Sequence, residues 1–249
     1  MFAFLFVEIG KVARPTFHIS SMKHESLHLL TPTPLNSYIP RSHIVLAPLP
    51  CFPDFYSVNF HGKFIQVTVA KKASHVHQWI SGIRRIHRKL LVGIDTEWLP
   101  NLAPGDDHPI AILQLCVGQH CLIVQLLHAD CIPPSLHAFL ADPRHVFCGV
   151  GVQEDVNKLF DHHGLIVGNT ADLNELARLA SEADGREYNH MGLKKMALLI
   201  LGKAMMKPLR VTLSKWDSHN LDFEQVEYAA VDAFVSFQIA LALCSWIVN

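Results

Sequence analysis

The spacing of apolar residues divides the chain near residue 53. Residues 1–53 contain several prolines and show no sustained apolar period, so we expect a poorly ordered extension outside the fold. Two apolar runs, residues 56–60 and 64–70, flank His61-Gly62-Lys63 and predict a β-hairpin. The chain is therefore predicted to hold an N-terminal extension, residues 1–53, and one domain, residues 54–249.

Two kinds of spacing predict the strands and helices of this domain. Apolar runs joined by short links predict antiparallel neighbours in a sheet, and a later alternation of strand and helix favours a parallel half-sheet. The predicted strands cover residues 90–95, 110–117, 121–126, 145–149 and the vicinity of residue 170, and the predicted helices cover residues 76–86, 135–140, 154–162, 173–180 and 223–246. Asp222 is the expected N-cap of the last helix. The pattern predicts an α/β fold with a mixed five-stranded sheet and helices on both sides.

Composition excludes several classes of function. Of the 249 residues 50% are apolar, and the formal net charge is -1, which excludes a protein that binds polyanions over its whole surface. No apolar run reaches the roughly 18 residues of a membrane span, so no membrane partner is predicted. Glu8 interrupts the first apolar stretch, which predicts no secretory signal. An organelle transit peptide is left open.

The six cysteines and 17 histidines do not have the spacing of metal sites. There is no Cys-x-x-Cys pair, and no two histidines are spaced as zinc ligands. We therefore expect reduced core cysteines of an intracellular protein. They are Cys51, Cys116, Cys121, Cys131, Cys148 and Cys244.

An acidic pair ends the apolar run over residues 91–97. Asp95 and Glu97 are two residues apart and so share one face of the predicted strand, with Thr96 on the other. Two carboxylates side by side at the end of a buried strand repel each other and lose hydration, a cost usually met by pairing or by a metal ion. A divalent cation is one candidate partner. For this segment alone, a strand end that emerges into solvent is the alternative.

A third acid follows a glycine-rich turn. Asp155 falls in the first turn of the helix predicted after residues 149–151, where the helix dipole favours an ionised carboxylate by roughly 0.3 to 1 kcal/mol. The segment alone fits a helix-start residue as well as a metal ligand. Glu154 is the rival for either role.

The last predicted helix carries a tyrosine and an aspartate one turn apart. Tyr228 and Asp232 project from one face, which also carries Val235 and Ile239. Asp232 therefore lies on or beside the buried stripe and needs a partner. An ion pair with an arginine or lysine is the alternative to a metal ion.

Together the three acidic segments resemble the tyrosine-bearing subclass of the DEDD superfamily of 3'-5' exonucleases. The likeness spans residues 56–246 and carries the five family positions, Asp95, Glu97, Asp155, Tyr228 and Asp232. Three sequence segments are also similar to the exonuclease domain of the Werner syndrome protein and its stand-alone plant relatives: residues 149–159, 213–216 and 227–233. The resemblance implies a ribonuclease H-like fold.

The resemblance also implies a role for each of these five residues. Four carboxylates would hold two Mg2+ or Mn2+ ions roughly 3.5 to 4 Å apart, one activating water and the other stabilising the leaving 3'-oxygen. Asp95 would bridge both ions, and Glu97 and Asp232 would hold the water-bearing one. Asp155 would serve the second ion. Tyr228 would orient the attacking water, because a tyrosine with a pKa near 10 is a poor base at neutral pH.

Four further residues are assigned to the substrate. Trp98 would stack on the terminal base, with a core role as the alternative. Trp216 lies in one of the three sequence segments shared with the family. A loose basic group occupies a region that in the family lies near the substrate strand: Lys194, Lys195, Lys203, Lys207 and Arg210. The first two of this group are predicted to bind substrate.

The resemblance implies a metal-dependent 3'-5' exonuclease that releases nucleoside 5'-monophosphates from recessed or single-stranded 3' ends, with DNA ahead of RNA as substrate. Two alternatives stay open. One is RNA 3' processing of the ribonuclease D kind, and the other is a catalytically silent nucleic-acid-binding module. A RecQ-type helicase or a Ku-like repair factor is the implied partner, and the nucleus or cytoplasm is the implied location.

Overall fold

The computed structural model describes residues 53–86, 89–101, 103, 105–181 and 185–248. The predicted extension, residues 1–53, lies outside the described residues apart from Pro53, and so does Cys51. The division into an extension and one domain therefore stays a prediction.

A mixed sheet of seven strands forms the centre of the described domain. The strands are β1 (Asp54–Phe60), β2 (Lys63–Ala70), β3 (Leu91–Trp98), β4 (Ile110–Val117), β5 (His120–Gln125), β6 (Val146–Gly149) and β7 (Thr170–Asp172). Their order across the sheet is β1-β2-β5-β4-β3-β6-β7. Strand β3 therefore lies between an antiparallel partner, β4, and a parallel partner, β6.

The pairing of the strands follows the lengths of their connections. Short links make β3, β4 and β5 antiparallel neighbours, whereas helical crossovers make β6 and β7 parallel to β3. The α/β fold class and the mixed sheet are confirmed. The sheet has two strands more than the five predicted, because the β1–β2 hairpin joins it through parallel pairing of residues 66–70 with residues 120–124.

Helices cover both faces of the sheet, as predicted. They are α1 (Ala73–Ile86), α2 (Pro134–Leu140), α3 (Val152–His163), α4 (Leu173–Ala180), α5 (Leu193–Leu201), α6 (Leu209–Thr212) and α7 (Phe223–Val248), with short 3-10 turns at Leu126–His128 and Arg186–Tyr188. Helices α1, α2 and α3 bury one face, and α4 to α7 bury the other. Helices α5 and α6 have no counterpart in the sequence prediction, because short apolar runs do not distinguish helix from strand.

Helix α7 begins at a reciprocal cap and runs through the core. Asp222 accepts a hydrogen bond of 2.8 Å from the backbone N–H of Gln225, whose side chain accepts one of 3.1 Å from the backbone of Asp222. The predicted N-cap is confirmed. The segment Phe223–Ser245 is long and apolar enough to cross a membrane, but 72% of its 18-residue apolar window is buried inside the protein, as in the core helix of a globular domain.

The backbones of α7 and β3 approach each other closely at Gly93. A Cβ atom on this residue would lie 2.0 Å from the carbonyl oxygen of Ala233 and 2.7 Å from the backbone nitrogen of Phe237. Real Cβ atoms do not make such contacts with backbone atoms. The absence of a side chain at residue 93 therefore sets how near α7 lies to the sheet.

Two cysteines are paired across neighbouring strands. Cys116 and Cys121 lie opposite each other in the β4–β5 hairpin, with Cα atoms 4.2 Å apart, and form a disulfide. The expectation of reduced cysteines is wrong for this pair. A two-residue hairpin turn places residues five apart face to face, an arrangement that the Cys-x-x-Cys criterion does not detect. Cys148 and Cys244 are free and buried as expected, whereas Cys131 is free but exposed.

Replacing Gly93 by alanine should destabilise the domain strongly. The new methyl group would meet backbone atoms of α7, so we expect the free energy of unfolding to fall by about 3 kcal/mol or more. Urea denaturation measures this change. Gly82→Ala is the matched control, because that helical glycine has open space around its Cβ position and should gain roughly 0.5 to 1 kcal/mol. Equal stability of the two variants would contradict the close approach.

Candidate active site

Strand β3 holds the first two acids near its carboxyl end. Side chains alternate along the strand, and Gly93 faces α7, so Asp95 and Glu97 point to the same side. Both are half-buried, whereas Thr96 between them is buried on the other side of the sheet. The strand therefore presents two carboxylates to the helix that crosses it.

Helix α7 brings a third acid to this pair. Asp232 is 2% exposed, and burial, with a contribution from the charge of the neighbouring Asp95, raises its pKa. Asp95, Glu97 and Asp232 each offer a carboxylate oxygen, and these atoms lie within 4.8 Å of one another. We refer to these three residues as the acid cluster. Their spacing allows one cation to contact all three.

Asp155 approaches from the opposite face of β3. It lies in the first turn of α3, buried, and its Oδ1 accepts a hydrogen bond of 2.6 Å from Thr96 Oγ1. Asp155 is outside the acid cluster, yet its charge contributes to a raised pKa of Glu97. Its sequence neighbour Glu154, the rival for its role, is exposed. The four predicted acids thus surround the carboxyl end of β3.

Tyr228 lies one turn before Asp232 on the buried side of α7. Its phenol oxygen accepts a hydrogen bond of 3.2 Å from Thr212 Oγ1. Burial, followed by the charge of Asp232, raises the pKa of Tyr228 to about 12. The hydroxyl is therefore protonated at neutral pH and can orient a neighbouring molecule, but it is not a base.

Lys207 brings a positive charge to the acid cluster. It lies between α5 and α6, with its Nζ 2.5 Å from Asp232 Oδ2 and 5.1 Å from the ring centroid of Tyr228. Burial alone would lower the pKa of Lys207, but the carboxylates of Asp232 and Asp95 raise it above its ordinary value. Sequence spacing places Lys207 only in a loose group of basic residues, because an irregular segment does not indicate which acid a lysine contacts.

Burial raises the pKa of all four acids. Negative neighbours add to burial in raising the pKa of Glu97 and Asp155 well above its usual range. Burial raises the pKa of Asp232 to about 7, against the opposing charge of Lys207, and raises that of Asp95 with the same opposition. The site therefore brings together carboxylates whose ionised forms are disfavoured by burial and by one another.

The donor atoms of the site fit a hard divalent cation. Carboxylate oxygens without nitrogen or sulfur ligands suit Mg2+ or Mn2+ and not Zn2+. A cation among them would relieve the repulsion that raises their pKa values. The acid cluster is thus the position at which the structure favours a metal ion.

Three of the four predicted substrate residues are accessible. Trp98 is half-buried, and Lys158 Nζ lies 5.0 Å from its ring centroid. Lys194 and Lys195 are exposed in the first turn of α5. Lys194 and Lys195 are open to a ligand, whereas Trp98 also packs against the core on the α1–α3 side of the sheet, which agrees with the core role that was its alternative. No described contact joins the three side chains to the acid cluster.

Trp216 is buried completely, so its assignment to the substrate is wrong. It has no exposed surface, and a ring without an exposed face cannot contact a base. Its Nε1 donates a hydrogen bond of 3.1 Å to the carbonyl of Thr212. Its ring lies 5.7 Å from that of Tyr228. Trp216 therefore supports the tyrosine from inside the core.

Glu97→Gln should raise the melting temperature of the metal-free protein and reduce its stabilisation by Mg2+. Because the folded pKa of Glu97 lies above its ordinary value of 4.5, the folded protein binds more protons than the unfolded chain, and stability falls as pH rises through that window. A neutral amide does not titrate, so the variant does not lose stability in this way as the pH rises. We expect its melting temperature to exceed that of the wild type by roughly 2 to 4 °C at pH 8 and by less at pH 5.

Thermal melts with and without Mg2+ check this prediction. Glu154→Gln is the matched control, since its side chain is exposed and should leave both melting temperatures nearly unchanged. A Glu97→Gln protein that melts below the wild type without metal would show that Glu97 is not under repulsion.

Comparison with known proteins places the chain among nucleases. Residues 67–246 match the family model described as 3'-5' exonuclease. A 3'-5' exonuclease of Arabidopsis thaliana is 28% identical over 192 residues, which cover 75% of this chain and 65% of that protein. Exonuclease 3'-5' domain-containing protein 2 of Mus musculus is 36% identical over 161 residues, 63% of this chain and 24% of that protein.

A third relative joins two activities in its name. The bifunctional 3'-5' exonuclease/ATP-dependent helicase WRN of Mus musculus is 27% identical over 183 residues, which cover 73% of this chain and 13% of that protein. The chain thus spans less than two thirds of the length of each of these relatives.

Solved structures agree with the fold. The Nibbler EXO domain of Aedes aegypti matches with a TM-score of 0.61 at 19% identity, over 73% of this chain and 88% of that one. RNase D of Escherichia coli matches with a TM-score of 0.60 at 19% identity, over 72% and 44%. The ribonuclease H-like fold is confirmed. Since the matched residues 67–246 contain the acid cluster, Asp155 and Tyr228, the chain belongs to the 3'-5' exonuclease family.

Proposed function

We propose that the protein is a metal-dependent 3'-5' exonuclease that releases nucleoside 5'-monophosphates from recessed or single-stranded 3' ends of DNA. The observation that carries the proposal is the acid cluster, with carboxylate oxygens within 4.8 Å of one another, in a chain of this family. A module that only binds nucleic acid gains nothing from such a cluster, because carboxylates repel phosphate. This argues against a catalytically silent module.

The four acids are proposed to hold two divalent ions, Mg2+ or Mn2+. The acid cluster would hold one ion, and Asp95 together with Asp155 would hold the other. Bound ions of this kind activate water and neutralise charge on a leaving oxygen. Thr96 fixes the carboxylate of Asp155 through its hydrogen bond, so that side chain stays oriented toward the end of β3.

Tyr228 is proposed to orient the attacking water. Its hydroxyl remains protonated at neutral pH, since burial raises its pKa to about 12. Thr212 donates to the phenol oxygen, which leaves the phenol hydrogen available for another acceptor. The packing of Trp216 behind the ring limits its movement.

Contacts to the substrate are proposed for three accessible side chains. Trp98 directly follows the acidic pair and offers an aromatic face to the terminal base, which suits any base. Lys194 and Lys195 offer charges to phosphates. With a net charge of -1, the chain can neutralise few phosphates, so we expect low processivity and a shallow salt dependence of binding.

Tyr228→Phe should slow the chemical step by roughly 10 to 1000-fold and leave substrate binding nearly unchanged. The substitution removes the water-orienting hydroxyl but keeps the ring that packs on Trp216. Single-turnover rates and binding to a labelled strand measure the two effects separately. Tyr56→Phe, at a tyrosine in β1, is the control and should match the wild type. A Tyr228→Phe protein with the wild-type rate would refute the role.

One experiment tests polarity and substrate together. The purified chain with Mg2+ is given 5'-labelled single-stranded DNA, a duplex with a recessed 3' end, and RNA of the same sequence, each with an excess of unlabelled trap. We expect ladders that shorten by one nucleotide on both DNA substrates. Asp95→Asn, which alters a metal ligand without changing side-chain size, should give none.

The other outcomes of this experiment are distinct. Faster digestion of RNA would favour the ribonuclease D-like alternative. Binding without digestion by the wild type would favour the silent module. Immediate release of the labelled 5' nucleotide would mean the opposite polarity and would contradict the proposal.

A helicase partner is proposed on one observation. The WRN relative carries exonuclease and helicase in its name, and this chain matches the 3'-5' exonuclease family model. A separate helicase of the RecQ type would supply the unpaired 3' ends that the proposed activity needs. A Ku-like partner, a role in DNA repair and a nuclear or cytoplasmic location stay predictions of the sequence resemblance.

A further inference from the structure

Lys207 makes a sheltered ion pair with the acid cluster. Its Nζ lies 2.5 Å from Asp232 Oδ2, and the two side chains are 26% and 2% exposed. Salt screens such a pair far less than a pair on the open surface. Its ammonium also lies 5.1 Å from the ring centroid of Tyr228. Lys207 is therefore enclosed between the two side chains of α7 that the proposed chemistry uses.

The other members of the loose basic group lie elsewhere. Arg210 pairs with Glu224, and Lys203 Nζ lies 5.8 Å from the ring centroid of Phe60. Lys194 and Lys195 are exposed on α5. Among these basic residues, Lys207 is thus the one that contacts the acid cluster, and its contact does not reflect a generally basic surface.

Lys207 and a divalent ion would compete for Asp232 Oδ2 in this arrangement. Mg2+ binds carboxylate oxygen at roughly 2.0 to 2.1 Å, so it would face the ammonium across a single oxygen atom. Two cations at that separation in a partly buried site repel each other strongly. The lysine and the ion therefore compete for this oxygen, which the ammonium contacts at 2.5 Å in the metal-free protein.

We propose that Lys207 is a positioning residue that competes with the divalent ion for Asp232. In the metal-free protein its ammonium holds the carboxylate and offsets the charge of the acid cluster. When the ion binds, Lys207 leaves Oδ2. Its place in the irregular segment between α5 and α6, and its partial exposure, give it a route toward solvent. The inference rests on the proposed function, because it requires the acid cluster to bind a divalent metal.

Titration calorimetry with Mn2+ and no nucleic acid tests the competition. If the ammonium holds Asp232 for about nine tenths of the time, the apparent Kd of the wild type is about tenfold larger than that of an uncontested site. Lys207→Met should therefore bind Mn2+ roughly tenfold more tightly. Lys207→Arg keeps the charge and should bind like the wild type. Lys203→Met removes an equal charge four residues away and should leave the affinity unchanged.

Melting temperatures separate competition from a merely structural role. Without metal, Lys207→Met should melt below the wild type, because the acid cluster loses its counter-charge. With saturating Mn2+ the difference should disappear or reverse. A lysine that only anchors its segment would lower both melting temperatures equally and would not tighten Mn2+ binding, and that result overturns the inference.

Two further outcomes keep the test decisive. Lys207→Gln, which is polar and neutral, should show the same tighter binding and replaces the methionine variant if that one does not fold. If the wild type itself binds no Mn2+, the proposed function fails together with the inference. If the wild type binds Mn2+ and neither neutral variant binds it more tightly, only the inference fails.

Discussion

The close contact between α7 and β3 at Gly93 is the constraint on which the site depends. Gly93 lies two residues before Asp95 on the same face of the strand, and its backbone neighbour Ala233 directly follows Asp232. The contact that lets the helix reach the sheet is therefore the one that brings the two carboxyl groups together. A side chain at residue 93 would push α7 outward. It would thereby separate Asp95 from Asp232, although neither acid is itself replaced.

The fold holds these acids together against their own repulsion. Burial raises the pKa of each, and Glu97 has three acidic neighbours that raise its pKa further. The stabilising free energy must come from elsewhere, and the sheet supplies it through apolar residues on both faces. Lys207 offsets part of the charge in the metal-free protein. The acids that the proposed chemistry needs therefore lower the stability of the fold at the carboxyl end of β3.

Local spacing predicted the features that depend on neighbouring residues. The shared face of Asp95 and Glu97 follows from strand alternation, and the cap at Asp222 from an aspartate placed directly before an apolar helix. The sequence also left open that Asp232 pairs with a lysine or arginine, and the structure places Lys207 there. The identity of that lysine could not be predicted, because 24 residues lie between it and Asp232 and no periodic pattern links them.

The features that were missed depend on contacts between distant segments. The β1–β2 hairpin pairs with β5 through backbone atoms, which carry no residue-specific signal. Trp216 lies in a sequence segment shared with the family, but a sequence motif does not show whether a side chain is exposed. The role of Trp216 follows only from its packing on Tyr228. The Cys116–Cys121 disulfide differs, because it joins residues five apart and depends on the register of two strands within one hairpin.

A second glycine explains how the fourth acid reaches the site from the opposite face. Strand β6 ends at Gly149, where a Cβ atom would lie 2.9 Å from the carbonyl oxygen of Ile94, the residue before Asp95. The turn into α3 therefore begins against the backbone of β3, and Asp155 in the first turn of α3 can reach Thr96. Gly149 belongs to β6, the neighbouring strand of the sheet, so β3 meets α7 on its face and the end of β6 along its edge, each time at a residue without a side chain next to the acids. These two backbone contacts bring the helices that carry Asp232 and Asp155 close to the carboxyl end of β3.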